Sequence, residues 1–185
     1  MQIEPTALAG VLVLTPARHG DARGFFSESW NRKTLREAGV NLPEFVQDNH
    51  SLSAAAGTLR GLHFQAPPHA QGKLVRCVRG AIWDVAVDAR RGSPTFGRHV
   101  AAEITAENWT QIWVPVGFLH GFCTLLPDTE VIYKVTAPYD RDAERGVVWD
   151  SPDLGIPWPV APGEAVLSDK DRVLPRWSDA PVLFP

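Results

Sequence analysis

From residue 57 onward the chain is a succession of short apolar or alternating runs, each closed by glycine, proline, asparagine or aspartate. A period of two with turn residues at the ends is the signature of a half-buried strand. The runs are 57–65, 73–79, 81–87, 99–105, 109–114, 121–126 and 130–137. Arg79-Gly80 reads as a hairpin signal, Asn108 as a turn between two strands, and Pro127-Asp128 as the turn of another strand pair. In the run 81–87, Trp83, Val85 and Val87 share one face and Asp84 takes the other. Many short antiparallel strands leave a sandwich or a barrel as the available architectures.

The first part of the chain adds little helix. Residues 11–14 read as a first strand, 19–24 as turn chemistry, and 25–30 as a strand with Phe26 and Glu28 on one face. The spacing predicts a helix over 31–38, capped by Asn31, carrying Leu35 and Ala38 on its apolar side and ended by Gly39. Residues 45–51 fit either a loop or a strand bearing amides on its inner face. From Pro138 onward prolines recur, so the tail should wrap the surface irregularly, with one short helix. The expected fold is a mainly β, double-sheet jelly roll of the cupin type with few short helices. Residues 1–185 are read as one such domain, with the N-terminal segment and the Pro-rich tail wrapped around it.

Composition narrows the function classes. Lysine plus arginine number 18 against 21 aspartate plus glutamate, a formal charge of −3, which is no nucleic-acid footprint. A few local cations still suit a phosphorylated small molecule. The two cysteines, Cys77 and Cys123, lie in apolar runs without a Cys/His cluster, so buried thiols in a reducing cytoplasm are expected. No basic, apolar signal segment opens the chain and no run approaches membrane-spanning length.

The chemistry concentrates on a few segments. Gly57-Thr58-Leu59-Arg60-Gly61-Leu62-His63-Phe64-Gln65 places Leu59, Gly61, His63 and Gln65 on one strand face and Arg60, Leu62 and Phe64 on the other. Alone, His63 would read as a hydrogen-bonded core residue. Its company is Lys73, the turn Pro115-Val116-Gly117-Phe118-Leu119-His120, Tyr133, and Ser168-Asp169-Lys170-Asp171. The Pro115-x-Gly117-x-x-His120 element resembles half of the cupin signature. Metal-binding cupins carry His-x-His and a glutamate in the other half, whereas this chain has His63-Phe64-Gln65 followed by Lys73. A divalent ion needs about three good protein ligands, so no metal and no cofactor are expected. What remains is acid–base chemistry: a carboxylate-oriented histidine as base, a phenol as acid and a lysine to hold an oxyanion. That set suits proton abstraction beside a carbonyl, through an enolate.

Six segments in order strengthen this reading. Arg23-Gly24-Phe25-Phe26-Ser27-Glu28, Gln47-Asp48-Asn49-His50-Ser51, Leu59 to Gln65, Pro115 to His120, Tyr133-Lys134 and Ser168 to Asp171 together resemble the dTDP-4-dehydrorhamnose 3,5-epimerase family, over nearly the whole chain. The resemblance implies a metal-free cupin homodimer in the cytoplasm. It implies His63 as base, Tyr133 as acid, Asp171 as the partner of His63, and Lys73 beside the sugar C4 oxygen. Arg60, Gln47, Asn49, His120 and Lys170 would line the sugar and diphosphate region, with Asp48 among the substrate-binding residues. Arg23, Phe26 and Glu28 would serve the nucleotide, reaching the partner subunit's site, Tyr139 would stack on thymine, and Glu144 belongs to the same region. Spacing alone does not separate Asp171 from Asp169.

The implied substrate is a dTDP-linked 4-keto-6-deoxy sugar, inverted at C3 and C5. Three alternatives keep the fold: inversion at C3 or C5 alone, a ketoisomerase, or a metal-dependent oxygenase. A non-catalytic sugar-nucleotide-binding cupin is the alternative outside enzymes. His50 and His69 are read as structural or exposed, and Arg145 as part of a solvated loop.

Overall fold

The computed structural model describes residues 1–180 and Phe184; residues 181–183 and 185 of the Pro-rich tail lie outside the described residues. The strands are β1 (Gln2–Pro5), β2 (Leu12–Thr15), β3 (His19–Asp21), β4 (Gly24–Phe26), β5 (Gln47–Ser53), β6 (Leu59–Gln65), β7 (Lys73–Arg79), β8 (Ala81–Asp88), β9 (His99–Thr105), β10 (Gln111–Val114), β11 (Phe118–Thr124), β12 (Thr129–Val135) and β13 (Glu144–Gly146). Two short α-helices, α1 (Arg32–Glu37) and α2 (Asp169–Arg172), accompany them. The expected mainly β cupin jelly roll is the fold found.

Two sheets face each other. One is six-stranded in the order β1-β2-β10-β7-β12-β5, and the other is five-stranded in the order β13-β6-β11-β8-β9. Val75, Cys77, Ile112 and Val131 from the first pack against Ile82, Ala86, Ile104 and Phe122 from the second. The outer face of the five-stranded sheet is also covered. There Leu62, Phe64, Val85, Val87 and Leu119 meet Val147, Leu154 and Phe184 of the C-terminal segment. On the outside of the six-stranded sheet, Leu14, Leu74 and Trp113 are capped by Leu35 of α1 and by Leu42. Burial on both faces explains why β8 and β11 read as continuous apolar runs rather than clean alternations.

Three sequence expectations need correction. The strands flanking Arg79-Gly80, Asn108 and Pro127-Asp128 do not pair with each other. At each turn the chain leaves one sheet for the other: β7 to β8, β9 to β10, and β11 to β12. A turn residue signals that the chain reverses; which sheet receives the next strand is set by the apolar faces that must meet. Three strands were also absent from the reading, among them β13, which pairs with β6 within the segment expected to be irregular. β1 contains one apolar residue and a proline, and β3 is built from turn-type residues that pair with β4 in an exposed hairpin. That hairpin ends at Phe26, so the strand expected to reach residue 30 stops earlier. Residues 45–51 resolve in favour of strand β5, paired to β12.

The helix expected over 31–38 is α1. The Asn31 carboxamide oxygen accepts from the backbone N–H groups of Lys33 and Thr34, and Gly39 follows the helix with φ +82°.

Candidate active site

The space between the sheets opens into a cavity of about 560 Å³, within the range of ~300–1,000 Å³ usual for a small-molecule site. An adjoining recess of about 120 Å³ shares His63, Lys73, Tyr133 and Glu144 with it. β6 and β11 of one sheet supply Arg60, His63 and His120; β7 and β12 of the other supply Lys73 and Tyr133. β13 and α2 close the side with Glu144, Lys170 and Asp171.

Arg60 and His63 reach the same cavity although strict alternation sets them on opposite faces. His120 pairs with His63 and Phe122 with Arg60, so Gly121 of β11 alone opposes two residues of β6, Gly61 and Leu62. Such a bulge re-aims a side chain. The close approach of the two strands behind His63 requires glycine. Gly61 has φ +127°, and a Cβ there would lie 2.6 Å from Gly121 Cα and 2.8 Å from the His120 carbonyl oxygen.

His63 Nε2 lies 2.5 Å from Asp171 Oδ1. Asp171 is held in turn by its place in α2, where the Ser168 hydroxyl accepts from its backbone N–H at 3.2 Å. Asp169 is exposed on the same helix. Burial pushes the Asp171 carboxyl up, but the hydrogen bond and charge of His63, the Ser168 hydroxyl and Lys170 together hold it below its ordinary value. A second buried pair stands beside the first. His120 Nε2 lies 3.0 and 2.9 Å from the two oxygens of Asp84, which is wholly buried on β8. The sequence reading placed Asp84 on the right face of its strand but gave it no role, because its partner lies on another strand.

Lys73 and Tyr133 are the groups with free polar ends. Among the described residues, neither side chain has a hydrogen-bond partner. Burial pushes the Lys73 ammonium down to about 8; the Asp84 and Glu144 carboxylates pull it back up, and Lys170 pushes it further down. Burial raises the Tyr133 phenol above its ordinary value, while the Arg60 guanidinium pulls the other way. At neutral pH the cavity therefore presents an ammonium and an un-ionised phenol.

Glu144 organises the mouth. Its two oxygens accept from Lys170 Nζ at 2.6 Å and from the Tyr139 hydroxyl at 3.0 Å. Burial pushes its carboxyl up, and the Lys170 contact more than offsets this, keeping it ionised. Gln47 and Asn49 line the recess from β5, joined by a 2.7 Å hydrogen bond. Gln65 bonds the loop that carries Tyr139. Among the described residues no three His, Cys, Asp or Glu side chains gather as a metal site would need.

Four expected substrate-binding residues lie outside this cavity. Arg23 and Phe26 stand on the exposed β3–β4 hairpin, Arg23 paired to Asp21 at 2.6 Å. Glu28 accepts from Asn31 and Thr34 at the start of α1. Asp48 points to the outer groove, in an ion pair with Lys134 at 2.8 Å. Cavity residues given no role by the sequence include Ser51, Thr58 and Phe122, whose residue types carry no signal of a site.

Known proteins share this framework. The family model described as dTDP-4-dehydrorhamnose 3,5-epimerase matches residues 5–179. The dTDP-4-dehydrorhamnose 3,5-epimerase of Sinorhizobium fredii is 52% identical over 100% of this chain and 93% of its own length. The crystal structure of the Bacillus anthracis enzyme of that name, with TDP and PPi bound, is 50% identical, covers 95% of this chain and 98% of its own, and has a TM-score of 0.91. The Legionella pneumophila dTDP-6-deoxy-D-glucose-3,5-epimerase in complex with dTDP-4-keto-L-rhamnose is 40% identical over 100% of this chain and 97% of its own, with a TM-score of 0.93. The chain belongs to the dTDP-4-dehydrorhamnose 3,5-epimerase family.

Proposed function

We propose that the chain inverts C3 and C5 of dTDP-4-dehydro-6-deoxy-D-glucose to give dTDP-4-dehydro-L-rhamnose, by proton transfer between the two sheets. It is an isomerase acting on a sugar nucleotide. The observation that carries the assignment of roles is the placement of His63 and Tyr133. One projects from β6 of the five-stranded sheet and the other from β12 of the six-stranded sheet, into one cavity.

Inversion needs a proton removed from one face of the carbon and returned to the other. His63 takes the proton beside the C4 ketone, and Asp171 stabilises the imidazolium that forms. The C–H electron pair moves into the enolate, whose charge falls on the C4 oxygen near the Lys73 ammonium. Tyr133 then donates its phenolic proton to the opposite face. Each inversion leaves the added proton on His63 and a phenolate at Tyr133; His63 gives its proton to water and Tyr133 takes one from water before the second carbon reacts, with no redox step.

Arg60, His120, Gln47, Asn49 and Lys170 hold the sugar and diphosphate, and Tyr139 stacks on the thymine ring. The relatives crystallised with TDP and with dTDP-4-keto-L-rhamnose support this ligand class. The β3–β4 hairpin, with Phe25 and Phe26 55% and 73% exposed, supports a homodimer in which Arg23, Phe26 and Glu28 serve the partner's site. The product supplies activated L-rhamnose for surface polysaccharide, made in the cytoplasm. Among the described residues no helix is long and apolar enough to cross a membrane.

The test is the keto-sugar nucleotide in heavy water, followed by NMR. Deuterium should enter at both C3 and C5 with inverted product. Exchange at one carbon alone would make the chain a monoepimerase, and no exchange would make it a binding module.

A further inference from the structure

Three glutamine side chains hold the backbone on which Tyr139 stands. Gln71 Nε2 donates to the Ala137 carbonyl at 2.7 Å. Gln65 Nε2 donates to the Pro138 carbonyl at 3.1 Å, and Gln65 Oε1 accepts from the Asp140 N–H at 2.8 Å. Gln47 Oε1 accepts from the Tyr139 N–H at 3.0 Å. Gln65 thus grips the residues on either side of Tyr139 with a single carboxamide, much as a neighbouring strand would. Its remaining N–H donates to the His69 carbonyl at 2.6 Å, so both of its donors and its acceptor are engaged. Gln65 is 3% exposed, whereas Tyr139 is 55% exposed. The buried end of this arrangement is fixed, while more than half of Tyr139 lies open to solvent. Its one side-chain hydrogen bond goes to Glu144, at the start of β13.

We infer that Gln65 is a positioning residue for nucleotide binding: it fixes the Ala137–Asp140 backbone so that the Tyr139 ring is already in place when the base arrives. The inference rests on the reading of Tyr139 as the residue that stacks on the base. A ring held before binding loses less freedom on binding, so the effect appears in affinity rather than in chemistry. Gln65 sits on the same strand as His63 but sends its amide away from it, to the loop. An imidazole here could not replace the amide, since a neutral imidazole has one donor and one acceptor and cannot satisfy all three backbone groups.

The experiment is a double-mutant cycle on dTDP binding, with Gln65→Met and Tyr139→Ala, read by calorimetry alongside steady-state kinetics. Gln65→Met keeps the volume and removes the hydrogen bonds. It should raise the dTDP Kd about five- to tenfold, the weight of roughly one net hydrogen bond, and change kcat at saturating substrate by less than about twofold. Tyr139→Ala should raise the Kd at least as much, and the double variant should bind no more weakly than Tyr139→Ala alone. If Tyr139→Ala weakens binding but Gln65→Met is silent, adds its full effect in the double variant, or lowers kcat at unchanged Kd, the inference is overturned and the stacking reading stands. If Tyr139→Ala leaves the Kd unchanged, both fall. Should Gln65→Met fail to fold, Gln71→Met, which releases only the Ala137 carbonyl, enters the same cycle with the same criteria.

Discussion

His63 Nε2 and Asp171 Oδ1 stand 2.5 Å apart although 108 positions separate the two residues in the chain. One belongs to a central strand and the other to a four-residue helix near the C-terminus. Asp171→Asn keeps the shape but removes the charge that steadies a protonated His63, and should lower kcat/KM by about 10²-fold or more. Asp169→Asn, on an exposed position of the same helix, should leave it within about twofold, the scale of a surface change. Equal losses in the two variants would refute the assignment. The same contact bears on acid stability. The Asp171 carboxyl is held below its ordinary value, so its stabilisation is present above the unfolded pKa of about 4 and is lost as pH falls below that.

Lys73 is expected to set the alkaline limit of activity. Its ammonium, pushed down to about 8 by burial, must be charged to stabilise the enolate oxygen. As pH rises through about 8 that charge is lost, so kcat/KM of the wild type should fall. The Tyr133 phenol, raised above its ordinary value, does not titrate in the same range. A pH profile that stays flat to pH 9.5, or an unchanged alkaline limb in Lys73→Gln, would contradict this role.

Asp88 closes the loop that leads from β8 to β9. Its carboxylate accepts from Arg90 Nε and Nη2 at 2.8 and 2.7 Å, from Ser93 at 2.5 Å and from Thr95 at 2.6 Å. Burial pushes the carboxyl up, but these donors hold it far below the usual range. The Arg90 guanidinium in turn lies 4.5 Å from the centre of the Phe118 ring, next to the turn that leads to His120. Asp88→Ala strands these donors and should cost about 3 kcal/mol, a fall in Tm of roughly 6–12 °C for a chain of this length. The wild-type contribution of Asp88 is fully present above a pH of about 4 and is lost as pH falls further. A melting temperature within 2 °C of wild type at neutral pH would show that the loop holds without it.

The sequence exposed the strands more clearly than their partners. Runs such as 73–79 and 99–105 appear at the boundaries read for them, because alternation is local. Whether β7 and β8 form a hairpin is decided by which faces bury each other, and no property of Arg79-Gly80 carries that information. The site was legible where residue type is tied to chemistry, as at His63, Lys73 and Tyr133. Arg60 was set on the wrong face because a bulge breaks the alternation between it and His63. Asp171 and Asp169 flank the same lysine and look alike in sequence. The Ser168 cap and the turn of α2 bury one at 3% exposure and leave the other in solvent. Asp84 was invisible as a site residue because its partner His120 lies 36 positions away.

The account turns on base and acid standing on opposite sheets, and Tyr133→Phe tests this most directly. The variant keeps the ring and its packing but lacks the phenolic proton. Incubated with the keto-sugar nucleotide in heavy water and followed by NMR, it should still exchange the C3 or C5 hydrogen, because His63 returns the proton to the face it came from. Inverted product should fall by about 10²-fold or more, much further than exchange. Parallel loss of exchange and inversion would contradict the account, placing Tyr133 in enolate formation or sugar binding. Unchanged inversion would equally contradict it, leaving Tyr133 a wall residue and moving the acid to another group.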